Sequence, residues 1–331
     1  MIRAYEFVQG KAQCKAIEPA AIAHSLTDSG VFVWVDFEKS GAEEAMPILA
    51  DVFHFHPLTI EDCIDESASP KVEEYTPQTD DKFAPYIFMV VHAVDYNRKD
   101  GVFATRELNV FLGKNFLVSY HDVPLRSVAA VEDRCVKGAA NTGRAPDRLA
   151  HALLDEMVDN YRPALDELSR EIAALEERSL QNPRPATLHQ ITQTKKEVLR
   201  LRQIISPQSE VLARLARGEF KLIRPQMLPY FRDIADALFH ISTEAQSYAD
   251  SLTGTLQVYL SMSANRTNEI VKVLTIITVL TTPLTIIGTW YGMNFKGMPE
   301  LEWPHGYLIA TLLMIFSTAG TFWFFKIRKW F

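Results

Sequence analysis

Cysteine is scarce in this chain, and its few cysteines form no recognisable motif. The 331 residues contain three, Cys14, Cys63 and Cys135, too far apart for a CxxC metal or redox site. They are consistent with a reduced compartment. The first 13 residues also lack the apolar stretch of a cleavable signal peptide. A net charge of −7 does not favour binding to nucleic acid, so we expect no such partner.

The sequence also lacks the motifs of the common enzyme classes. It contains no phosphate-binding loop, no nucleophile elbow and no metal-hydrolase motif. His54 and His56 lie two residues apart near Asp51, but the start of a strand or helix explains them better than a metal site. We therefore predict that the protein is not an enzyme.

Charge is missing from two long stretches near the C-terminus. Residues 273–295 and 306–325, 23 and 20 residues long, contain no Asp, Glu, Lys or Arg. A bilayer core of about 30 Å needs roughly 20 apolar residues per helix. The sequence therefore predicts two membrane spans in the cell's inner (plasma) membrane, with membrane lipid as a partner. The segment between them, 291–305, is a short loop on one side.

Basic residues set the expected orientation. Lys326, Arg328 and Lys329 follow the second span directly, and Arg266 and Lys272 precede the first, whereas the loop has one lysine against two glutamates. By the positive-inside rule both termini are cytoplasmic and the loop faces outward.

The region before the spans predicts a mixed α and β fold followed by long helices. Val31–Phe37 and Tyr86–Val94 are β-rich, Gly113-Lys114-Asn115 is typical of a hairpin turn, and Glu43–Phe55 has helical spacing. Residues 61–82 are strongly acidic. Helical, charged segments at 147–181 and 187–217 predict a hairpin, in which Pro163 and Pro207 should kink or reset the helices. Residues 230–282 contain no proline and predict one helix of about 80 Å.

These features divide the chain into six parts. They are a cytoplasmic α/β domain (1–145), a helical hairpin (146–229), a stalk helix continuing into the first span (230–290), an outer loop (291–305), a second span (306–325) and a basic tail (326–331).

Threonines mark one face of the first span. They are spaced three or four residues apart, as helical neighbours are, at Thr275, Thr278, Thr282, Thr285 and Thr289. The same spacing extends to Val271 and Asn268. One interpretation is helix packing, with each hydroxyl bonded to a carbonyl of its own helix. The other is a polar, uncharged pore wall, which requires an oligomer because two spans cannot enclose a pore.

The loop resembles a known family. Tyr291-Gly292-Met293-Asn294 after a first span, followed by Met298-Pro299-Glu300-Leu301, a second span and a basic tail, is similar to the CorA family of magnesium transporters. Three further segments resemble the same family, so that the resemblance covers nearly the whole chain. These are residues 56–62 (HPLTIED), 230–233 (YFRD) and 267–275 (TNEIVKVLT).

The resemblance implies a homopentamer that takes up Mg²⁺, possible transport of Co²⁺ and Ni²⁺, and no small-molecule substrate other than metal ions. A membrane sensor or enzyme without transport activity is an alternative that the absence of enzyme motifs weakens. In this family the cytoplasmic domains form a funnel, the stalk helix lines the pore, and the second span packs outside. The resemblance then makes Gly292, Met293 and Asn294 the outer selectivity filter. The pore would be lined by Asn268, Val271, Leu274, Thr275, Thr278, Thr282, Thr285 and Thr289.

The resemblance also implies regulatory metal sites. In the family, cytoplasmic Mg²⁺ binds between neighbouring subunits at the positions of Asp62 and Asp233, with Glu61 as a weaker candidate. Each aspartate has a local alternative. Asp62 follows Thr59 by three residues and could complete a capping box at a helix start. Asp233 could be an ordinary charge on a solvated helix face.

The sequence departs from the family pattern at two positions of the pore. Thr282 stands where methionine is common, and Gln257 stands where some members carry an acid at the inner mouth. The related ZntB branch carries zinc on a similar architecture and is the alternative function. The absence of His and Cys from 267–304 favours Mg²⁺, which prefers oxygen ligands.

Overall fold

A mixed β-sheet forms the first part of the chain in the computed structural model. The structure describes residues 1–8, 14–65, 69–78, 82–97, 102–138, 145–295, 297–328 and 330, and gives only the backbone of 95–97, 102–104 and 301. Outside these residues lie Glu66, Asp80 and Asp81 of the acidic segment, Lys296 of the loop and Lys329 of the tail. The strands in the described ranges are β1 (Ile2–Val8), β2 (Cys14–Ile17), β3 (Val31–Glu38), β4 (Lys71–Tyr75), β5 (Tyr86–Asn97), β6 (Val102–Gly113) and β7 (Phe116–His121).

The sheet has the order β2-β1-β3-β7-β6-β5-β4 and contains one parallel pair, β3 with β7, in the part of the chain that the structure describes. The predicted strands at Val31–Phe37 and Tyr86–Val94 are confirmed as β3 and β5. The predicted hairpin is confirmed as well, because Leu112 pairs with Leu117 across Gly113-Lys114-Asn115. Side chains of β3 alternate between two apolar layers, which explains why its sequence is almost continuously hydrophobic.

Helices cover both faces of the sheet. One face packs against α1 (Ile22–Ser25), α2 (Ala42–Met46) and α3 (Pro57–Ile64), where the rings of Phe55 and Phe111 stack 4.2 Å apart. The other face packs against the longer helices that follow the sheet. Their bounds are α4 (Arg126–Val136), α5 (Pro146–Asp159), α6 (Tyr161–Gln181), α7 (Pro185–Ala216) and α8 (Leu228–Tyr291).

Proline changes the helices that the periodicity predicts. The segment Glu43–Phe55 divides at Pro47 into α2 and a π-helical turn, Pro47–Val52, in which Phe53 N donates to Ile48 O at 3.0 Å. The run 147–181 divides at Asn160, three residues before Pro163, into α5 and α6. Pro207, by contrast, lies inside α7, which runs on to Ala216, so this proline does not reset its helix.

The chain separates into two compact units. The first comprises Met1–Arg178 and Pro185–Thr255, and the second comprises Ser179–Arg184 and Leu256–Phe331. The predicted helix across 230–282 is confirmed, because α8 extends over 64 residues and continues through Pro283. Helix α9 is Gly306–Ile327. The apolar window of each of these two helices is only 6% buried within the chain, as expected for surfaces that face lipid or other subunits.

A buried polar network joins β1, β3 and β7 in the first unit. Asp36 is 1% exposed and accepts from Arg3 Nη2 at 3.0 Å, while its other oxygen lies 3.2 Å from His121 Nε2. His121 Nδ1 lies 2.6 Å from Val123 O. Because both ring nitrogens face acceptors, both must carry hydrogen, so His121 is an imidazolium. Burial lowers the pKa of His121, but the hydrogen bond and charge of Asp36 outweigh burial and raise it.

Candidate ion pathway

The threonines of the first span donate their hydroxyl hydrogens to their own helix. In each case the acceptor is the carbonyl four residues earlier. The distances are 2.8 Å for Thr275 to Val271, 2.9 Å for Thr278 to Leu274, 2.7 Å for Thr282 to Thr278, 3.0 Å for Thr285 to Thr281 and 2.6 Å for Thr289 to Thr285. This bonding satisfies the hydroxyls where no other polar group is near. It occurs whether the stripe packs against a helix or lines a pore.

The threonine face is not the face that α9 covers. Val271 and Leu274 are 54% and 63% exposed, and Asn268 and Thr282 are exposed as well. Ile276 is buried instead, and farther along α8 a Cβ added at Gly288 would lie 3.7 Å from Met314 Cε of α9. The predicted pore-lining residues, except for the half-buried Thr275, are therefore exposed in the single chain.

The first span ends immediately before the predicted filter. Helix α8 ends at Tyr291, Gly292 N donates to Gly288 O at 3.0 Å, and Met293 N to Trp290 O at 3.4 Å. Asn294 is exposed, and its amide makes no hydrogen bond with any residue that the structure describes. Its oxygen is thus available to a ligand or to water.

The 299–302 part of the outer loop lies against the start of α9. Pro299–Glu302 forms a 3₁₀ turn, and Gly306 N donates to Trp303 O at 3.0 Å. A Cβ added at Gly306 would lie 2.3 Å from the carbonyl oxygen of Glu300, a separation that real Cβ atoms do not show. The backbone of the turn therefore approaches α9 as closely as a glycine allows.

Asp62 lies in the last turn of α3, and its capping-box alternative is wrong. The helix begins at Pro57, and its N-cap is His56, whose Nδ1 accepts from Leu58 N at 3.3 Å. A helix start thus accounts for His56, as expected. Thr59 is already inside the helix, so Asp62 has no capping role. Its Oδ2 instead lies 2.6 Å from Lys71 Nζ of β4, and the neighbouring Glu61 is exposed.

Asp233 lies exposed in the second turn of α8. Two residues of α5 that sequence reasoning missed, His151 and Asp155, lie near it. Burial lowers the pKa of His151, whose Nε2 lies 3.2 Å from Tyr230 O. Burial, together with the charges of Asp159 and Asp233, raises the pKa of Asp155 against the opposing effect of His151 and Arg134. The one signal in the sequence was the spacing of His151 and Asp155, four residues apart and so on one face of α5.

A single chain does not assemble a metal site from these acids. No group of three or more His, Cys, Asp or Glu side chains that could hold a metal ion occurs among the residues the structure describes. Carboxylates are suitable ligands for Mg²⁺, but Mg²⁺ needs several oxygens in octahedral geometry. A Mg²⁺ ion at Asp62 or Asp233 would therefore need further oxygen ligands from outside these side chains.

Comparison with known proteins identifies the family. The family model described as "CorA-like Mg2+ transporter protein" matches residues 29–328. The chain belongs to the CorA family. The cobalt/magnesium transport protein CorA of Thermotoga maritima is 33% identical to it over 92% of this chain and 84% of that protein. The family is one of inner-membrane Mg²⁺ and Co²⁺ transporters, not enzymes, and the two apolar helices are its two spans.

Solved structures support the same fold. The complete CorA structure from Methanocaldococcus jannaschii has a TM-score of 0.82 at 19% identity and covers 100% of this chain and 99% of its own. The ZntB cytoplasmic domain from Vibrio parahaemolyticus has a TM-score of 0.60 at 12% identity over 80% of this chain and 99% of its own. At such identities the likeness concerns the fold alone. The soluble α/β domain, the long helix and the second apolar helix are thus those of a CorA protein, as the sequence predicted.

Proposed function

We infer that the chain assembles as a homopentamer whose α8 helices line a pore for Mg²⁺ uptake. The observation that carries this proposal is the exposed Asn294 amide at the end of a helix with an uncovered, uncharged threonine face. Five copies would place five amide oxygens and the stripe around one axis. The outer loop faces away from the cytoplasm, and both termini are cytoplasmic, because the basic residues lie before the first span and after the second.

The chemistry of the mouth favours a hydrated, hard cation. Mg²⁺ gives up its water reluctantly. Amide and carbonyl oxygens at Gly292 and Asn294 accept hydrogen bonds from that water without removing it. Neutral oxygens also bind the ion weakly enough to release it, which conduction requires. Met293 packs beside this ring.

Cytoplasmic Mg²⁺ closes the pore in this proposal. An ion held between Asp62 of one subunit and Asp233 of its neighbour, with Glu61 as a further acid, neutralises carboxylates that would otherwise repel. Two unpaired charges about 4 Å apart repel by about 4 kcal/mol at an effective dielectric constant of ~20, and the Lys71 ammonium beside Asp62 reduces this repulsion. Repeated around a ring, this is comparable with the roughly 5.5 kcal/mol that reverses a 1:99 equilibrium.

Zinc transport of the ZntB type is the second candidate. What favours it is the fold likeness to the ZntB cytoplasmic domain. Against it, the outer loop (291–305) contains no Cys and a single His, His305 at its end, so it offers few side chains that would bind Zn²⁺ directly. Uptake of Mg²⁺, Co²⁺ and Zn²⁺ by the same protein in liposomes decides between the two candidates.

The decisive variant is Asn294→Ala, which removes the amide oxygen. Uptake of Mg²⁺ into liposomes should be abolished while the native mass remains that of a pentamer. Phe295→Leu, at the exposed neighbouring position, is the matched control and should transport normally. Normal uptake by an assembled Asn294→Ala protein would show that the mouth lies elsewhere.

A further inference from the structure

The outer loop depends on a glycine outside the filter motif. Gly306 is the first residue of α9, where a Cβ would lie 2.3 Å from Glu300 O, 3.5 Å from Glu300 C and 3.8 Å from Trp303 Cβ. The first two are backbone atoms, which a side-chain rotation cannot move away. Separating Cβ and oxygen to 3.0 Å would require the turn or the helix to shift by about 0.7 Å.

Space, not backbone conformation, explains this glycine. Gly138 and Gly218 are the described glycines with positive φ, and Gly306 is not among them. Glycine is also an unfavourable residue within a helix, by roughly 1 kcal/mol relative to alanine. Elsewhere in the second unit, a Cβ at Gly297 or Gly320 would meet nothing within 4 Å. Contact with the 299–302 turn therefore distinguishes Gly306 from these two glycines.

The turn held by Gly306 is one of two anchors for Asn294. On the α8 side, the hydrogen bond from Gly292 N to Gly288 O fixes the chain two residues before Asn294. On the α9 side, the turn begins at Pro299, five residues after Asn294, and the proline ring restricts its backbone. Only four residues separate Asn294 from Pro299, so a displacement of the turn acts close to Asn294.

We propose that Gly306 is a positioning residue for the outer mouth: by admitting the Glu300 carbonyl against the first turn of α9, it sets the position of Asn294. The proposal rests on the function proposed above, in which Asn294 binds the entering ion. Gly306 itself contacts no ion. It acts through the 299–302 turn.

The test compares Gly306→Ala with Gly320→Ala, the same substitution on the same helix where there is room for it. In the assembled full-length protein, Gly306→Ala should raise the Mg²⁺ concentration for half-maximal uptake by roughly tenfold, which corresponds to about 1.4 kcal/mol, because a displaced Asn294 amide makes weaker hydrogen bonds to the water around the ion. Amide hydrogen exchange in 292–303 should become faster. Gly320→Ala should change neither quantity.

A half-maximal concentration that stays at the wild-type value in assembled Gly306→Ala overturns the proposal, even if maximal uptake falls. Should this variant fail to assemble, Pro299→Gly loosens the same turn without adding an atom and must raise the half-maximal concentration likewise. An unchanged value there also overturns the proposal. Failure of the proposed function is distinguishable, because it would appear as normal uptake by Asn294→Ala.

Discussion

Lys71 Nζ lies 2.6 Å from Asp62 Oδ2, so a basic side chain from β4 forms an ion pair with the aspartate that the family resemblance assigns to metal sensing. Both side chains are 31% exposed. A divalent ion that binds Asp62 must therefore displace this ammonium group or share the carboxylate with it. The affinity of the proposed sensor would then depend on Lys71 as well as on the acids.

Lys71→Gln should make the transporter more sensitive to internal Mg²⁺. A partly exposed ion pair is worth up to about 1 kcal/mol, which corresponds to a ~5-fold lower Mg²⁺ concentration for half-inhibition. Uptake measured against internal Mg²⁺ gives this midpoint. Lys82→Gln, an exposed lysine of the same acidic segment, controls for the general loss of positive charge. Equal midpoints for wild type and Lys71→Gln would mean that no ion competes at Asp62.

Neutralising both proposed sensor acids, Asp62→Asn with Asp233→Asn, should weaken inhibition by internal Mg²⁺. The stalk should also become easier to cleave by protease at high Mg²⁺, since no ion would tie neighbouring subunits. Selectivity should not change, because the outer loop is untouched. Asp250→Asn, an exposed acid farther along α8, is the control. Superimposable inhibition curves for the double variant and wild type would identify the two aspartates as surface charges.

The stripe on α8 predicts a pattern of chemical accessibility. Single cysteines at positions 278, 282 and 285, introduced after replacement of the three native cysteines, should react with small aqueous thiol reagents when the pore is open. Cysteines at 276, 277 and 280 should react much less, because these positions lie off the stripe and Ile276 is buried. Mass spectrometry measures the labelling rates. Equal rates for the two sets of cysteines would contradict the pore.

The network around His121 predicts an alkaline loss of stability. The folded-state pKa of His121 is raised above its ordinary 6.5, so its contribution is complete below pH 6.5 and is lost as the pH rises through the folded value. Removing one partner of a buried ion pair costs about 3–5 kcal/mol. His121→Gln should therefore melt well below wild type near pH 6, and the gap should shrink toward alkaline pH.

Thermal unfolding in detergent at several pH values measures that gap, with the exposed His24→Gln as control. At acid pH, protonation of Asp36 adds a second dependence of stability on pH. Burial raises the pKa of Asp36, but His121, Ser119 and Arg3 together lower it below 3.8, so its contribution disappears as the pH falls through the folded value. A gap that is constant from acid to alkaline pH would mean that His121 is neutral in the folded protein.

The features that sequence predicted well depend on local patterns. The hairpin at 113–115 follows from turn residues between two β-rich runs, and α8 follows from a long segment without proline. The alternative in which Thr59 and Asp62 form a capping box fails because His56 and Pro57 begin α3 before Thr59. Local patterns at a helix end compete, and tertiary contacts decide between them.

The site residues divide in the same way. Asn294 and the threonine stripe were visible because a motif and a helical period mark them. The Lys71–Asp62 pair and the contact of Gly306 with Glu300 were not, since each joins elements whose approach depends on how the chain folds between them. The proximity of His151 and Asp155 to Asp233 likewise depends on the packing of α5 beside α8, which the sequence does not show.

The hydroxyl bonds along α8 have one further consequence for what the first span can discriminate. A threonine that has given its hydrogen to a backbone carbonyl keeps lone pairs on its oxygen and has no proton left to offer. A pore lined by Thr278, Thr282 and Thr285 would present rings of acceptors alone. Each water around a cation points both of its hydrogens outward and matches such a surface, whereas each water around an anion turns one hydrogen inward and has only one left to donate. The wall would then sort ions by the sign of their charge while carrying none itself.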